Sequence, residues 1–271
     1  MKGLLLYTPE DAARSRWFAG HLADCARARG MELTLVTVTG PDAVQADAPL
    51  PDFVVNRARF AALSRRFERR GVRCFNRAAV TETGNDKWQT DRLCRRLGLP
   101  VMDTWLYRAG EPLPADAPFP CVVKSLAGHG GSEIFWAGTP QEAARLAAGL
   151  PGDCLLQRPA ARLGLDVRVY LMGDTPLAAV QRTSSGDFRS NFSLGGQAAL
   201  VPLERPLREM ALTVQRALEA DYIGVDFLCD GTRWVVNEIE DAVGARMLYR
   251  LTALDAGELF IRHIAETMGA I

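Results

Sequence analysis

The stretch Gly224-Val225-Asp226-Phe227, followed by Val235-Val236-Asn237-Glu238-Ile239-Glu240-Asp241, constrains this chain more than any other. Two apolar runs flank Asp230-Gly231, a dipeptide suited to a tight hairpin turn. Successive strand residues point to opposite faces, so Glu238 and Glu240 share one. The place of Asp226 depends on the turn. A two-residue loop of Asp230 and Gly231 sets Asp226 opposite Val235, on the wrong face. An odd-numbered loop, with Gly231 in the left-handed position of a bulged turn, gathers all three acids. Strand carboxylates commonly face solvent, but Ile223, Val225, Phe227, Leu228, Trp234, Val235, Val236 and Ile239 argue for burial. Buried acids need a cation among them. Hard divalent ions such as Mg²⁺ take oxygen ligands and are shared with substrate phosphates, so Asp226, Glu238 and Glu240 are expected to bind metal.

A chain of 271 residues can bury a good core in two or three lobes. Its 48% hydrophobic and 24% charged residues are those of an ordinary globular protein. A formal net charge of +0 implies neither a nucleic-acid nor a membrane partner. No run approaches the ~20 apolar residues of a membrane span, and residues 3–7 are too short for a signal peptide. The six cysteines lie scattered without a C-x-x-C pair and the three histidines are equally dispersed. This pattern argues against a zinc site and for reduced cysteines in a cytoplasmic protein.

Strand and helix signals alternate over the first 80 residues, which indicates an open parallel α/β layer. Thr8-Pro9-Glu10-Asp11 reads as a helix start, with Thr8 as N-cap and Pro9 in the first turn. A helix from about 85 to 97 opens a second section, with strands at 121–125 and 133–136 and a helix over 140–148. From 153 onward strands dominate, at 154–157, 166–172 and 176–183, before a helix at 206–218, the acidic hairpin and a last helix at 256–268. The expected division is 1–80, 81–152 and 153–271.

Lys124 ends a buried apolar strand and runs into Leu126-Ala127-Gly128-His129-Gly130-Gly131-Ser132. Glycines let backbone N–H groups approach an anion, and a buried lysine needs an anionic partner. A plain hairpin loop with a snorkelling lysine fits the same residues. Asp166-Val167-Arg168 places Asp166 and Arg168 on one strand face, and Gly186-Asp187-Phe188-Arg189-Ser190-Asn191 is a polar loop. Either arginine suits carboxylate or phosphate oxygens, or a surface ion pair.

The order is more telling than any single motif. Asp86-Lys87 at a helix start, Val-Val-Lys124, the Gly-rich loop, Asp166-x-Arg168, Gly-Asp-Phe-Arg189-Ser-Asn, Gly-Val-Asp226 and Asn-Glu238-x-Glu240 follow one another. This succession resembles the ATP-grasp superfamily, and within it the RimK-like carboxylate–amine ligases, from about residue 75 to the end. The resemblance implies an ATP-grasp fold: an N-terminal α/β domain and two α+β lobes enclosing the nucleotide. It implies ATP and Mg²⁺ as cofactors, with Mn²⁺ as a substitute.

By that resemblance Lys87 and Lys124 contact ATP phosphates, and Gly128, Gly130, Gly131 and Ser132 close over them. Gln157 and Arg158 offer backbone contacts to adenine, and Asp166 a contact near ribose. Arg168 faces phosphate, while Arg189, Ser190 and Asn191 reach nucleotide and acyl phosphate. Asp226, Glu238 and Glu240 fall at the magnesium positions. Glu240 stands where the family usually has Asn, which adds a negative charge that needs compensation, and Arg158 stands where it often has Glu. Arg57 and Arg246 are candidate clamps for a substrate carboxylate, or surface ion-pair partners. The implied activity joins a small-molecule or peptide carboxylate to an amine through an acyl phosphate. A small-molecule kinase and a non-catalytic nucleotide-binding regulator are the alternatives. Many such relatives are dimers or tetramers, so a homo-oligomer is compatible with the resemblance.

Overall fold

Four short strands build the N-terminal layer. In the computed structural model, which describes residues 1–43, 49–127, 133–184, 186–189 and 196–269, strands β1 (Lys2–Tyr7), β2 (Glu32–Thr37), β3 (Phe53–Asn56) and β4 (Arg73–Phe75) pair in parallel in the order β2-β1-β3-β4. The first helix is broken. Thr8 caps α1 (Pro9–Arg14), accepting from Asp11 N, and α2 (Arg16–Ala28) restarts after Ser15. Helices α3 (Ala61–Glu68) and α4 (Ala78–Gly84) complete the layer, and α4 has no counterpart in the sequence-based expectation.

Asp86 caps α5 (Lys87–Arg96) by accepting from Trp88 N and Gln89 N. Beyond it, β5 (Thr104–Tyr107), β6 (Cys121–Ser125), β7 (Ile134–Ala137) and β8 (Cys154–Gln157) form an antiparallel sheet, β5-β8-β6-β7, backed by α6 (Pro140–Ala148). Strand β8, placed by the expected division with the C-terminal lobe, pairs with β5 and β6 of this central sheet.

The third sheet is antiparallel, in the order β11-β10-β9-β12-β13: β9 (Leu165–Met172), β10 (Thr175–Thr183), β11 (Gln197–Val201), β12 (Tyr222–Asp230) and β13 (Arg233–Glu240). Its apolar face, with Val167, Val169, Ile223, Val225 and Phe227, packs on α7 (Arg205–Leu218) through Leu207, Ala211 and Val214. The chain then returns to the N-terminal layer through α8 (Arg246–Leu251) and α9 (Ala256–Thr267).

One core binds the ends of the chain together. Leu5, Phe53 and Phe75 of the parallel sheet share it with Tyr170, Tyr222, Phe260 and Ile264. Buried Asn76 clips the same seam: its amide donates to the carbonyls of Tyr222 and Asp241 and accepts from the N–H groups of Asp221 and Tyr222. Burying these backbone groups without partners would be costly. No helix among the described residues is long and apolar enough to cross a membrane.

Candidate active site

The acidic hairpin reaches its geometry by a route the sequence did not suggest. Its loop is the two residues Gly231 and Thr232, because Asp230 pairs with Arg233, and Gly231 takes φ +73°. Uninterrupted, that register would put Asp226 opposite Asn237. Instead the pairing steps from Phe227↔Val236 to Asp226↔Glu238, so a β-bulge at Asn237 absorbs one residue. The bulge, not an odd-numbered loop, restores the parity. Gly224 then lies opposite Glu240, and all three acids face one way.

The same face continues across the sheet. Asp226 lies opposite Arg168 on β9, and Asp166 opposite Arg182 on β10. Arg168 donates from Nε and Nη2 to the two oxygens of Asp226 at 2.6 and 2.7 Å, and from Nη2 to Glu240 Oε1 at 2.9 Å. Arg182 donates to both oxygens of Asp166, at 2.5 and 2.7 Å, and to Asp226 Oδ2 at 2.7 Å. Gly224 makes room: a Cβ there would lie 3.1 Å from Arg168 Cδ and 2.9 Å from Val243 Cγ2. Burial alone would raise the Asp226 pKa, yet the two guanidiniums hold its carboxyl well below the usual range.

Arg182 was absent from the sequence-based site, although it is 4% exposed and central to this layer. Its place on the same strand face as buried Val180, two residues earlier, was the available signal, but one arginine on a strand reads equally as a solvated face. Asp166, expected near ribose, spends both oxygens on Arg182. Arg168, expected to face phosphate, is bound to two of the three acids expected to hold metal, Asp226 and Glu240.

Two lysines approach the layer, Lys124 from the central sheet and Lys87 from α5. Lys124, at the end of β6, donates to Asn237 Oδ1 at 2.9 Å, so the bulge residue is also a lysine partner. Burial lowers the Lys124 pKa to about 8, with Glu238 opposing that shift and Lys87 adding to it. Lys87, buried at the start of α5, lies 4.0 Å from Glu238 Oε1.

Arg189, expected at the nucleotide and acyl phosphate, is paired with Asp187 at 2.6 Å on the wall of the same cleft. Gln157 donates to Thr104 Oγ1. The N–H of Arg158 is committed to Asp103 O, and its guanidinium pairs with Asp103 and Asp230, so neither serves as a nucleotide donor in this arrangement. Gly128, Gly130, Gly131, Ser132, Ser190 and Asn191 lie outside the described residues.

Two cavities meet at the ionic layer. The smaller, about 70 Å³, lies between the central and C-terminal sheets and is lined by Lys124, Gln157, Asp166, Arg189, Asp226 and Glu238. The larger, about 390 Å³, faces the N-terminal layer. Arg182 lines both, and Arg168 and Glu240 line the larger. Arg57 and Arg246 line the larger cavity with Arg14, Arg59, Tyr7, Trp17 and Tyr249, and the Arg57 guanidinium lies 5.7 Å from the Tyr7 ring centre. Arg57 is buried, donates to the carbonyls of Ala242 and Val243, and leaves Nε without a partner, whereas Arg246 is exposed at the rim.

The donor set fits a hard cation. Carboxylate oxygens of Asp226, Glu238 and Glu240 lie within 4.8 Å of one another, and carboxylate oxygen is the donor type Mg²⁺ takes. The additional acid at position 240 is compensated by Arg168 rather than left to repel phosphate.

Comparison with known proteins identifies the family and the fold. Residues 84–264 match the RimK-like ATP-grasp domain. A probable alpha-L-glutamate ligase from Shewanella frigidimarina is 27% identical over 278 residues, covering 96% of this chain and 90% of the relative. The D-alanine–D-alanine ligase of Bacillus anthracis, solved with ATP, superposes with a TM-score of 0.77 at 14% identity, covering 99% of this chain and 97% of that one. The ATP-grasp ligase PsnB, solved with a variant of its minimal precursor, Mg and ADP, gives 0.69 at 16% identity, covering 98% of each. The fold is the ATP-grasp fold, and the chain belongs to the RimK-like ATP-grasp family.

Proposed function

We propose that the protein is an ATP-dependent ligase that joins a carboxylate to an amine, with nucleotide in the smaller cavity and the joined substrates in the larger. The carrying observation is the shared wall. Arg182 borders both cavities, and the Asp226–Arg168–Glu240 cluster lies where they meet. A phosphoryl group passing between two substrates needs positioning and charge neutralisation at one such junction.

In this reading Lys124 and Lys87 hold the phosphates. Asp226, Glu238 and Glu240 would hold Mg²⁺, or Mn²⁺ with its similar preference for six oxygens. A bound divalent ion neutralises phosphate charge that would otherwise repel the attacking carboxylate. Arg168 and Arg182 fix Asp226 in its ionised form. The substrate carboxylate displaces ADP from the γ-phosphorus, giving an acyl phosphate, and the amine nitrogen then displaces phosphate from the acyl carbon. Arg57 and Arg246, with Arg14 and Arg59, make the larger cavity attractive to a carboxylate. The name of the Shewanella relative makes glutamate the first substrate to try, and the neighbours extend the choice to other amino acids and peptides.

A screen of amino-acid and peptide pairs for ADP release, read by mass spectrometry, tests the proposal. ADP and an amide product should require both partners, and Asp226→Asn should abolish both. A stable phosphorylated product formed without amine would make the protein a kinase. No ADP from any pair would favour a nucleotide-binding regulator.

A further inference from the structure

A second constellation lies away from the ionic layer, where α2 meets the start of α9. His21 and Cys25 are four residues apart on α2 and therefore share a helix face. Asp255, the N-cap of α9, completes the group. His21 Nε2 lies 2.8 Å from both carboxylate oxygens of Asp255 and 3.6 Å from Cys25 Sγ. One ligand atom from each of the three lies within 4.8 Å of the other two. We propose that His21, Cys25 and Asp255 form a site for a borderline-soft divalent cation of the Zn²⁺ class, bridging the N-terminal layer to the C-terminal helix.

The donor types and spacing carry the argument. Thiolate, imidazole and carboxylate are the three zinc ligands of proteins, and tetrahedral bonding places ligand atoms about 3.3–3.6 Å apart. The sulfur–nitrogen separation already has that value, and the nitrogen–oxygen pair has to open by about half an ångström. Asp255 is aimed by outer contacts: Tyr249 OH donates to Oδ1 at 2.8 Å, and the N–H groups of Gly257 and Glu258 donate to it at 3.0 Å. Such outer partners orient metal ligands. Trp17 stacks on the His21 ring at 5.1 Å, and Gly257 admits the ring, since a Cβ there would lie 2.7 Å from His21 Cδ2.

The local charge is also suited to a cation. Glu258, paired with Arg29, also hydrogen-bonds the Cys25 thiol, so two carboxylates, Asp255 and Glu258, face it. Burial and these acids push the Cys25 thiol up to about 11, so a metal must displace its proton. A search for paired cysteines misses the group, because the ligands are a His-x-x-x-Cys face and an aspartate more than 200 residues away. Trp17 and Tyr249 both touch the group and line the larger cavity, so occupancy would stiffen that wall.

The test uses the full chain, stripped of metal and held in excess Mg²⁺ to saturate hard sites, then titrated with Co²⁺ as a spectroscopic probe. One Co²⁺ per chain should produce a thiolate-to-cobalt charge-transfer band, displaced by Zn²⁺ and lost in Cys25→Ser. Tyr249→Phe, which removes the outer donor to Asp255, should weaken binding by about 10–100-fold. In the unaltered chain Zn²⁺ should protect Cys25 from alkylation, read by peptide mass spectrometry, which needs no variant to fold. No band, a band that survives Cys25→Ser, or unprotected Cys25 would overturn the proposal and leave an ordinary His–Asp hydrogen bond at a helix cap.

Discussion

At the scale of single residues, Glu240 is the most informative departure from the family pattern. Its carboxylate lies 2.9 Å from Arg168, so the guanidinium divides its charge between Asp226 and Glu240. Replacing Glu240 by Asn removes one negative charge from the cation site. A charge 4 Å away is worth about 4 kcal/mol at an effective dielectric near 20. The Mg²⁺ concentration needed for half-maximal ADP formation should therefore rise at least tenfold (~1.4 kcal/mol), with activity restored at saturating Mg²⁺. Titrating Mg²⁺ against ADP release checks this.

Lys124 carries a pH signature. Burial lowers its pKa from 10.5 to about 8. Between those values the unfolded chain holds more protons than the folded one, so this group favours folding increasingly as pH rises through that window. Nucleotide binding runs the other way, because an anion beside Lys124 favours its protonated form. ADP binding near pH 8 should take up protons, measured by calorimetry in buffers of different ionisation heat. Lys124→Arg, which stays charged, should remove the uptake, and an unaltered uptake would clear Lys124 of the phosphate role.

At the scale of elements, the sequence was most legible where side chains cap or bury regularly. Strands β6 and β8 and helix α6 occupy the expected residues, and Thr8 and Asp86 cap the helices expected of them. Helices α4 and α8 escaped notice because both are short and neither N-cap makes a side-chain hydrogen bond. Strand β11 is a largely exposed edge without a buried face to betray it. The hairpin shows the deeper limit. Its acids and the left-handed Gly231 were readable, though the loop is Gly231-Thr232 and not Asp230-Gly231, and a bulge is a choice between registers, made by the packing of Val225 and Phe227 on α7 and by Lys124 holding Asn237. Deleting Asn237 should restore an unbroken ladder in which Glu238 still lies opposite Asp226 and Glu240 opposite Gly224, so the acids stay together while Lys124 loses its partner. That variant should keep Mg²⁺-dependent nucleotide binding, as calorimetry would show. Lost Mg²⁺ dependence would mean that Asn237 does more than set the register.

At the scale of the whole molecule, the ordered motifs announced the cleft, whereas the ionic layer is a product of the sheet. Arg182 becomes a site residue only because β10 pairs with β9 and sets it opposite Asp166. The second cavity likewise exists only because α8 and α9 return to the N-terminal layer, where Trp17 and Tyr249 meet at its wall. The two cavities joined at this layer suggest transfer from nucleotide to carboxylate and then to amine. Carboxylate substrates labelled with ¹⁸O in both oxygens, supplied with ATP and the amine partner found by the screen, test that order directly. The account predicts that one labelled oxygen of each turned-over carboxylate leaves in the released phosphate. ADP formation with unlabelled phosphate would contradict it.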